Sequence, residues 1–417
     1  PGDLVTLPEF IALATDSGTT VGQDTIHSVG FVLATPNNAS PRNFVWLGVC
    51  GGNVVKFTGG PVLAVSGGSG ALSASATLVS AVTAFDRVYF ADGVGYRKYN
   101  PKTDAIERWI ATSEGGIPEL CRLLSFWRGR MVLARGANDP FNWHMSASGD
   151  PDDWNQFPAV NVATQAISGN NAEIGSAQDI VNALIAYDRE RLIFGGDHSI
   201  NIMWGDPMEG GSISLLSDTT GIAFGSAYCK DAGGVLYFFG SRGGVYALIP
   251  GQQVEKISSE TIDRLLMDVD LGTYTIGMTW DDVEQQLVIF QIPYGAGGEL
   301  VNHFVWEKKS NAWWLDRFAA TDVQPTALLV LDGDDPDDRI VAVGCEDGHV
   351  RRLSRTSTTD DGYAIDSYVT IGPYFSPDGE LRLRNPKVTL ARDQGGCWLE
   401  MFAGDTPDVL GEPVASA

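Results

Sequence analysis

A unit of strand, tight turn and strand recurs along this 417-residue chain and restricts its fold more than any other feature. It appears as "NFVWLGVCGGNVVKF" (43–57), "DRVYFADGVGYRKY" (86–99), "GRMVLARGANDPFNWHMS" (129–146), "RLIFGGDHSINIMW" (191–204), "GVLYFFGSRGGVYALI" (234–249), "QLVIFQIPYGAGGELVNHFVW" (286–306) and "DRIVAVGCEDGHVRRL" (338–353). Each places β-branched and aromatic residues in short runs around a Gly, Asp or Asn turn, which is the pattern of a hairpin. The first core positions are Val45, Val88, Met131, Leu192, Val235, Leu287 and Ile340, separated by 43, 43, 61, 43, 52 and 53 residues. Periods of about 40 to 50 residues belong to four-stranded propeller blades. The spacing predicts an all-β protein, a β-propeller of six or seven blades over residues 1–355.

The composition agrees. There are 49 glycines where an average chain of this length has roughly 29, as many tight turns require. The one clear helical pattern is "SSETIDRLLMD" (258–268), where Ser259 is placed to cap a short helix with Ile262, Leu265 and Leu266 at helical spacing, packed between blades. After residue 355 the hairpin pattern stops. "YAIDSYVTIGPYF" and "LRLRNPKVTLARDQGGCWLEMFAG" read as alternating strands, so 356–417 is expected to be a small β-sandwich-like addition, truncated or packed on the propeller.

A formal net charge of -24 argues against electrostatic binding of nucleic acid, which needs clustered Lys and Arg to displace phosphate counterions. Hydrophobic runs are short, and none approaches the roughly 20 residues of a membrane span. The start carries no basic-then-apolar leader, so no secretion signal is expected. Cys50, Cys121, Cys229, Cys345 and Cys397 are odd in number, far apart and without a C-x-x-C, and read as small buried residues of a reducing compartment.

Catalytic and ligand motifs are weak. "SGGSGALSASA" (66–76) lacks the lysine and following helix of a phosphate-binding loop, and Gly67-Gly68-Ser69-Gly70-Ala71 lacks the final glycine of a nucleophile elbow. It reads as a flexible turn or an inter-blade loop. His27, His144, His198, His303 and His349 have no partner at zinc spacing. Asp332, Asp334, Asp335, Asp337 and Asp338 in "DGDDPDD" are weak calcium candidates without the closing Glu of a calcium loop, and a solvated acidic turn is the favoured reading. No residue is assigned a catalytic role, and no cofactor is expected.

"MSASGDPDDWNQFP" (145–158) stands apart. Its residues Ser148, Asp150, Pro151, Asp152 and Trp154 resemble the S-x-D-x-G-x-x-W turn that recurs on sialidase-like propellers, with Asp152 where that turn has Gly and Trp154 one residue ahead of its Trp. The turn is a brace: Pro fixes φ, Asp side chains accept from turn N–H groups, and the Trp ring is buried with its N–H partnered.

Taken in order, several segments resemble the tail nozzle, or packaged-DNA stabilisation, proteins of short-tailed bacteriophages. They are "PGDLV", "FDRVYFADGVGYRKYNP", "WRGRMVLARGANDPFNWHMSASGDPDDW", "YDRERLIFGGDHSINIMWGDP", "GIAFGSAYCKDAGGVLYFFGSRGGVYALIPGQQVEKISSETIDRLL" and "VIFQIPYGAGGELVNHFVWEKKSNAWWLDRF". The resemblance covers most of residues 85–318 and rests on order and texture. It implies a virion structural protein made in the host cytoplasm and placed in the virion tail. There it would be a subunit of a hexameric nozzle or hub ring that extends the DNA channel below the portal and adaptor ring. Fibre, spike or tip proteins would be its other partners. Genome DNA would pass through the lumen without sequence-specific binding, and acidic walls would repel its phosphates. Familiar members often carry further domains for which this compact chain leaves little room, so terminal nozzle and middle hub stay open.

Trp143, Trp313 and Trp314 are candidate interface aromatics, with blade core as the competing reading for Trp313 and Trp314; Trp204 and Trp280 share that ambiguity. The alternative function is a glycan- or receptor-binding propeller, which 11 tryptophans and 12 tyrosines would suit. A propeller glycosidase would need paired carboxylates at a set separation, which sequence does not reveal.

Overall fold

The computed structural model describes residues 9–12, 26–33, 44–57, 63–112, 115–170, 179–258, 262–294, 300–321, 323–332, 339–354, 359–364, 400–402 and 413–416. It divides into two compact units, 1–365 and 366–417. The first is a seven-bladed β-propeller built from seven antiparallel four-stranded sheets. Blade 1 comprises strands Ile26–Leu33, Phe44–Cys50, Asn53–Phe57 and Leu63–Ala64, and blade 2 comprises Ser80–Ala84, Arg87–Ala91, Tyr96–Asn100 and Ala105–Arg108. Blade 3 holds Leu123–Trp127, Arg130–Ala134, Asn142–Met145 and Ile167–Asn170, and blade 4 holds Ala183–Ala186, Arg191–Gly195, Ile200–Trp204 and Ser212–Ser217. Blade 5 is Tyr228–Lys230, Leu236–Phe239, Val245–Leu248 and Val254–Lys256, and blade 6 is Tyr274–Asp281, Gln286–Pro293, His303–Glu307 and Ala312–Asp316. Blade 7 takes Pro325–Asp332, Arg339–Cys345 and Val350–Ser354 from one end of the unit and Glu9–Ala12 from the other, with Glu9 opposite Ser354 and Ala12 opposite Arg351. The first strand of each blade lies innermost, beside its counterpart in the next blade.

Each recurrent hairpin is the middle pair of strands of one blade. The first strand of each hairpin, the second of its blade, is an apolar run because both faces are buried. In blade 2, Val88 and Phe90 point into the seam with blade 1 while Tyr89 and Ala91 point into the seam with blade 3. Met131 and Leu133 likewise face blade 2, and Val132 and Ala134 face blade 4. The period of two along a strand sends alternate side chains to opposite sheet faces, and blades stacked face to face cover both. Six apolar clusters fill the six seams from blades 1 and 2 through to blades 6 and 7. Each fully buried Val, Leu, Ile or Phe contributes about 1.5–3 kcal/mol.

The glycine-rich segment 66–76 joins blade 1 to blade 2 and is packed, with Ala71, Leu72 and Ala76 buried in the seam between them. A short helix, Asp263–Met267, sits at the seam of blades 5 and 6. Ile262 and Leu266 are buried there, but Leu265 faces outward, so the helix buries a narrower stripe than its sequence suggests. Ser259 lies outside the described residues. In the second unit, Glu400–Phe402 pairs antiparallel with Pro413–Ser416; the rest of the strands expected after residue 365 fall outside the described residues. Cys50, Cys121 and Cys345 are buried free thiols, Cys229 is half-buried and free, and Cys397 is outside the described residues.

Blade 6 carries a titrating core group. Asp316, at the end of its outer strand, is 8% exposed. Burial first, and the charge of Asp360 second, push its carboxyl up to about 7. The folded chain therefore holds a proton that the unfolded chain releases near the ordinary value of 3.8, and stability falls as pH rises from there through about 7. The loss is on the order of a few kcal/mol. Urea unfolding at pH 5 and pH 8 is expected to show this fall in the native chain, and Asp316→Asn is expected to remove most of it.

A candidate interaction surface on the third blade

The widest spacing between hairpins, from Met131 to Leu192, is occupied by the connection between the third and outer strands of blade 3, residues 146–166. Its first half is a tight turn. Gly149 takes φ +82°, where a side chain would be strained. Asp150 Oδ1 accepts from Asp152 N at 2.9 Å and Asp153 Oδ1 from Asn155 N at 2.9 Å. The Pro151 carbonyl receives two indole N–H groups, from Trp154 at 3.0 Å and from Trp109 at 3.1 Å. Both rings are buried, with centroids 6.0 Å apart. Asp152 pairs with Lys98 of blade 2 at 3.1 Å, and its carbonyl accepts from Thr112 N at 3.0 Å. Trp109, Lys98 and Thr112 lie in or just after blade 2, so the turn clamps blades 2 and 3 together. Ser148 contributes through its backbone, donating to Thr164 O at 2.8 Å.

The second half of the connection is held by Arg130, whose side chain has no solvent exposure. Its Nε donates to Asp206 Oδ2 at 2.8 Å and Nη2 to Asp206 Oδ1 at 3.3 Å. Nη1 donates to Ser146 O at 2.9 Å and Gln165 O at 2.7 Å, and Nη2 to Ala163 O at 3.0 Å. All five guanidinium N–H groups are thus partnered. Asp206 also accepts from Met208 N at 2.9 Å in the connection between the last two strands of blade 4. One cation fastens the start and end of the blade 3 connection and ties both to blade 4.

Between these anchors the chain turns apolar side chains outward. Phe157 is 88% exposed, with Val160 and Val162 also in solvent. Their backbone is pinned: Phe157 N donates to Asn155 Oδ1 at 3.0 Å, and Val162 N donates to Gln165 Oε1 at 3.0 Å. Gln156 is fixed in turn by Ser168 Oγ, which donates to its Oε1 at 2.7 Å. The exposed ring stands on a rigid base.

The other sequence candidates separate. Trp143 is not a surface residue: it is buried in the seam of blades 3 and 4, its ring 5.8 Å from Phe194. Gly169, on the neighbouring outer strand, leaves the space its indole fills, since a Cβ there would lie 2.4 Å from Trp143 Cζ2. Trp313 and Trp314 are half-buried on the outer strand of blade 6, with Trp313 packed on Trp306 at 6.2 Å. Trp280 is buried and stacked on Tyr237 at 5.2 Å, whereas Trp204 is 47% exposed beneath the guanidinium of Arg191. Asp334, Asp335, Asp337 and Asp338 lie outside the described residues, and of Asp332 only the backbone, ending a blade 7 strand, is described. Among the described residues no three His, Cys, Asp or Glu side chains gather as a metal site would require. No helix among them is long and apolar enough to cross a membrane.

No protein-family model matches this chain, and no curated protein matches it. Solved structures do. The extracellular domain of BT4673 from B. thetaiotaomicron is named a one-component system in one structure and a hybrid two-component system in another, and it superposes with TM-scores of 0.54 and 0.55 at 10% and 9% identity. The alignments cover 84% and 83% of this chain but 40% and 39% of those chains, so this chain spans about two fifths of their length. The WD40 β-propeller domain of Doa1 aligns over 83% of this chain and 97% of that domain at 11% identity, with a TM-score of 0.46. At these identities the likeness is one of fold, and the class of protein that fold defines is the β-propeller.

Arg130→Met keeps the bulk of the side chain but leaves Asp206 buried without its cation and three carbonyls without donors. It is expected to lower unfolding stability by about 3–5 kcal/mol, read as a fall in the urea midpoint at unchanged slope.

Proposed function

We propose that the protein is a structural subunit of a short-tailed bacteriophage tail, one of six in a nozzle or hub ring that extends the DNA channel below the portal and adaptor. The observation that carries this reading is the coincidence at residues 146–158. Of the two stretches on which the resemblance to tail nozzle proteins is most specific, 148–154 and Gly221–Leu266, the first is the turn that the fold clamps to two blades and that leads into Phe157, which stands in solvent. A subunit that docks on neighbours needs apolar groups ordered before contact, because ordering them on contact costs binding free energy. The role is mechanical. Seams between blades make each subunit stiff, and a chain of net charge -24 suits a wall past which phosphates slide without adhering.

Electron microscopy of the purified chain at high concentration tests the reading. The expected result is rings with sixfold symmetry and an opening wide enough for a duplex, lost on Phe157→Asp with the propeller still folded. Single propellers at every concentration, unchanged by that substitution, would count against it.

A second reading, a glycan- or receptor-binding propeller of a tail or surface assembly, is favoured by the same ring, since one rigid exposed aromatic is a platform on which a sugar face can stack. Extracellular domains are among the structures that share the fold. A glycan screen with native chain and Phe157→Ala separates the two: saturable binding lost in the variant supports the second, and no binding removes it.

A further inference from the structure

At the axis of the propeller is a cavity of about 650 Å³, a volume in the range of small-molecule sites. Its described walls come from the inner strands of blades 2 to 7 and the segments that lead into them. None of the 28 described residues that line it is charged, whereas at the chain's 19% charged content a lining of that size would carry about five. Much of the wall is aliphatic, with Leu124, Leu328 and Leu329 among the contributors.

Four hydroxyls of the wall spend their proton on the main chain. Ser80 Oγ donates to Arg122 O at 2.7 Å, Thr326 Oγ1 to Gly344 O at 3.1 Å, Thr275 Oγ1 to Phe224 O at 3.4 Å and the Tyr228 hydroxyl to Leu184 O at 3.4 Å. A hydroxyl has one proton to donate and two lone pairs to accept with. These four have committed the proton to the main chain and keep accepting capacity. Among the described residues of the wall an anion would find no cation and an ammonium no carboxylate, so either would lose its water without gaining a counter-charge.

The geometry points to a binding site in this cavity for an uncharged, mainly apolar small molecule that carries a hydroxyl or N–H donor. This inference is independent of the ring assembly, because every wall it uses belongs to one chain.

Equilibrium dialysis against three probes of one shape tests it: 2-naphthol, neutral with a donor; 2-methoxynaphthalene, neutral without one; and 2-naphthoate, an anion. Native chain is expected to retain 2-naphthol at least tenfold more strongly than either of the others. Ser226→Trp projects from an exposed position on the lining and is expected to abolish retention with the unfolding midpoint unchanged. If that variant does not fold, Ser80→Ala serves, because it removes one acceptor and should weaken 2-naphthol while leaving 2-methoxynaphthalene unaffected. Equal retention of all three probes, no retention of 2-naphthol by native chain, or undiminished retention by the folded Ser226→Trp would each overturn the assignment.

Discussion

One buried guanidinium, that of Arg130, organises the part of this propeller that departs from blade regularity. It sits at the start of a middle strand in blade 3, where the repeating hairpin alone would fix only two strands. By giving its N–H groups to Ser146, Ala163 and Gln165 carbonyls and to Asp206, it closes the long connection on itself and fastens it to blade 4. The Trp109–Trp154 pair on Pro151 does the same toward blade 2. An insertion that could have been a loose loop is a fixture across three blades. Breaking such a pair from one side costs more than the pair contributes, since the remaining charge stays buried.

The blades were legible because their middle strands are covered on both faces. Runs such as "VYFA", "MVLA" and "LVIF" need no alternation to announce themselves, and a Gly or Asp turn after each marks the hairpin. The flanking strands were not legible. Inner strands such as Ser80–Ala84 are small and mixed, and outer ones such as Ser212–Ser217 are half in solvent. Least visible was Glu9–Ala12, whose partner Val350–Ser354 lies at the far end of the unit; a local pattern carries no record of a pairing made across the whole ring. That strand completes the seventh blade and so closes the ring.

The surface on blade 3 was half legible. Pro151, Gly149 and the aspartates declare a turn, and Trp154 declares a buried anchor, by chemistry that acts over a few residues. Arg130 gave no such signal, because an arginine beside a glycine turn normally reaches water, and its burial follows from carbonyls brought in by residues 163–165. Nothing in the sequence sets Phe157 apart from the other aromatic residues. The available clue was the 61-residue spacing from Met131 to Leu192, which marks where the extra chain had to go. Trp143 was misjudged for the opposite reason: the pocket that takes its ring is made by the absence of a side chain at Gly169, which pairs with it across the strand.

Charge is distributed to match. Acidic groups outnumber basic ones by 52 to 28 over the chain, yet the described residues that line the axial cavity include neither, and Arg130 is among the few charges taken fully inside. The central claim is that residues 147–165 are ordered in the isolated subunit, before any neighbour is met. Hydrogen–deuterium exchange read at single amides tests it most directly. Ala147, Ser148 and Gly149 donate to Asp153, Thr164 and Gly129 carbonyls at 2.8 Å each, and they should exchange as slowly as amides of the blade 3 strands. Exchange at the rate of unstructured chain would contradict a preformed surface.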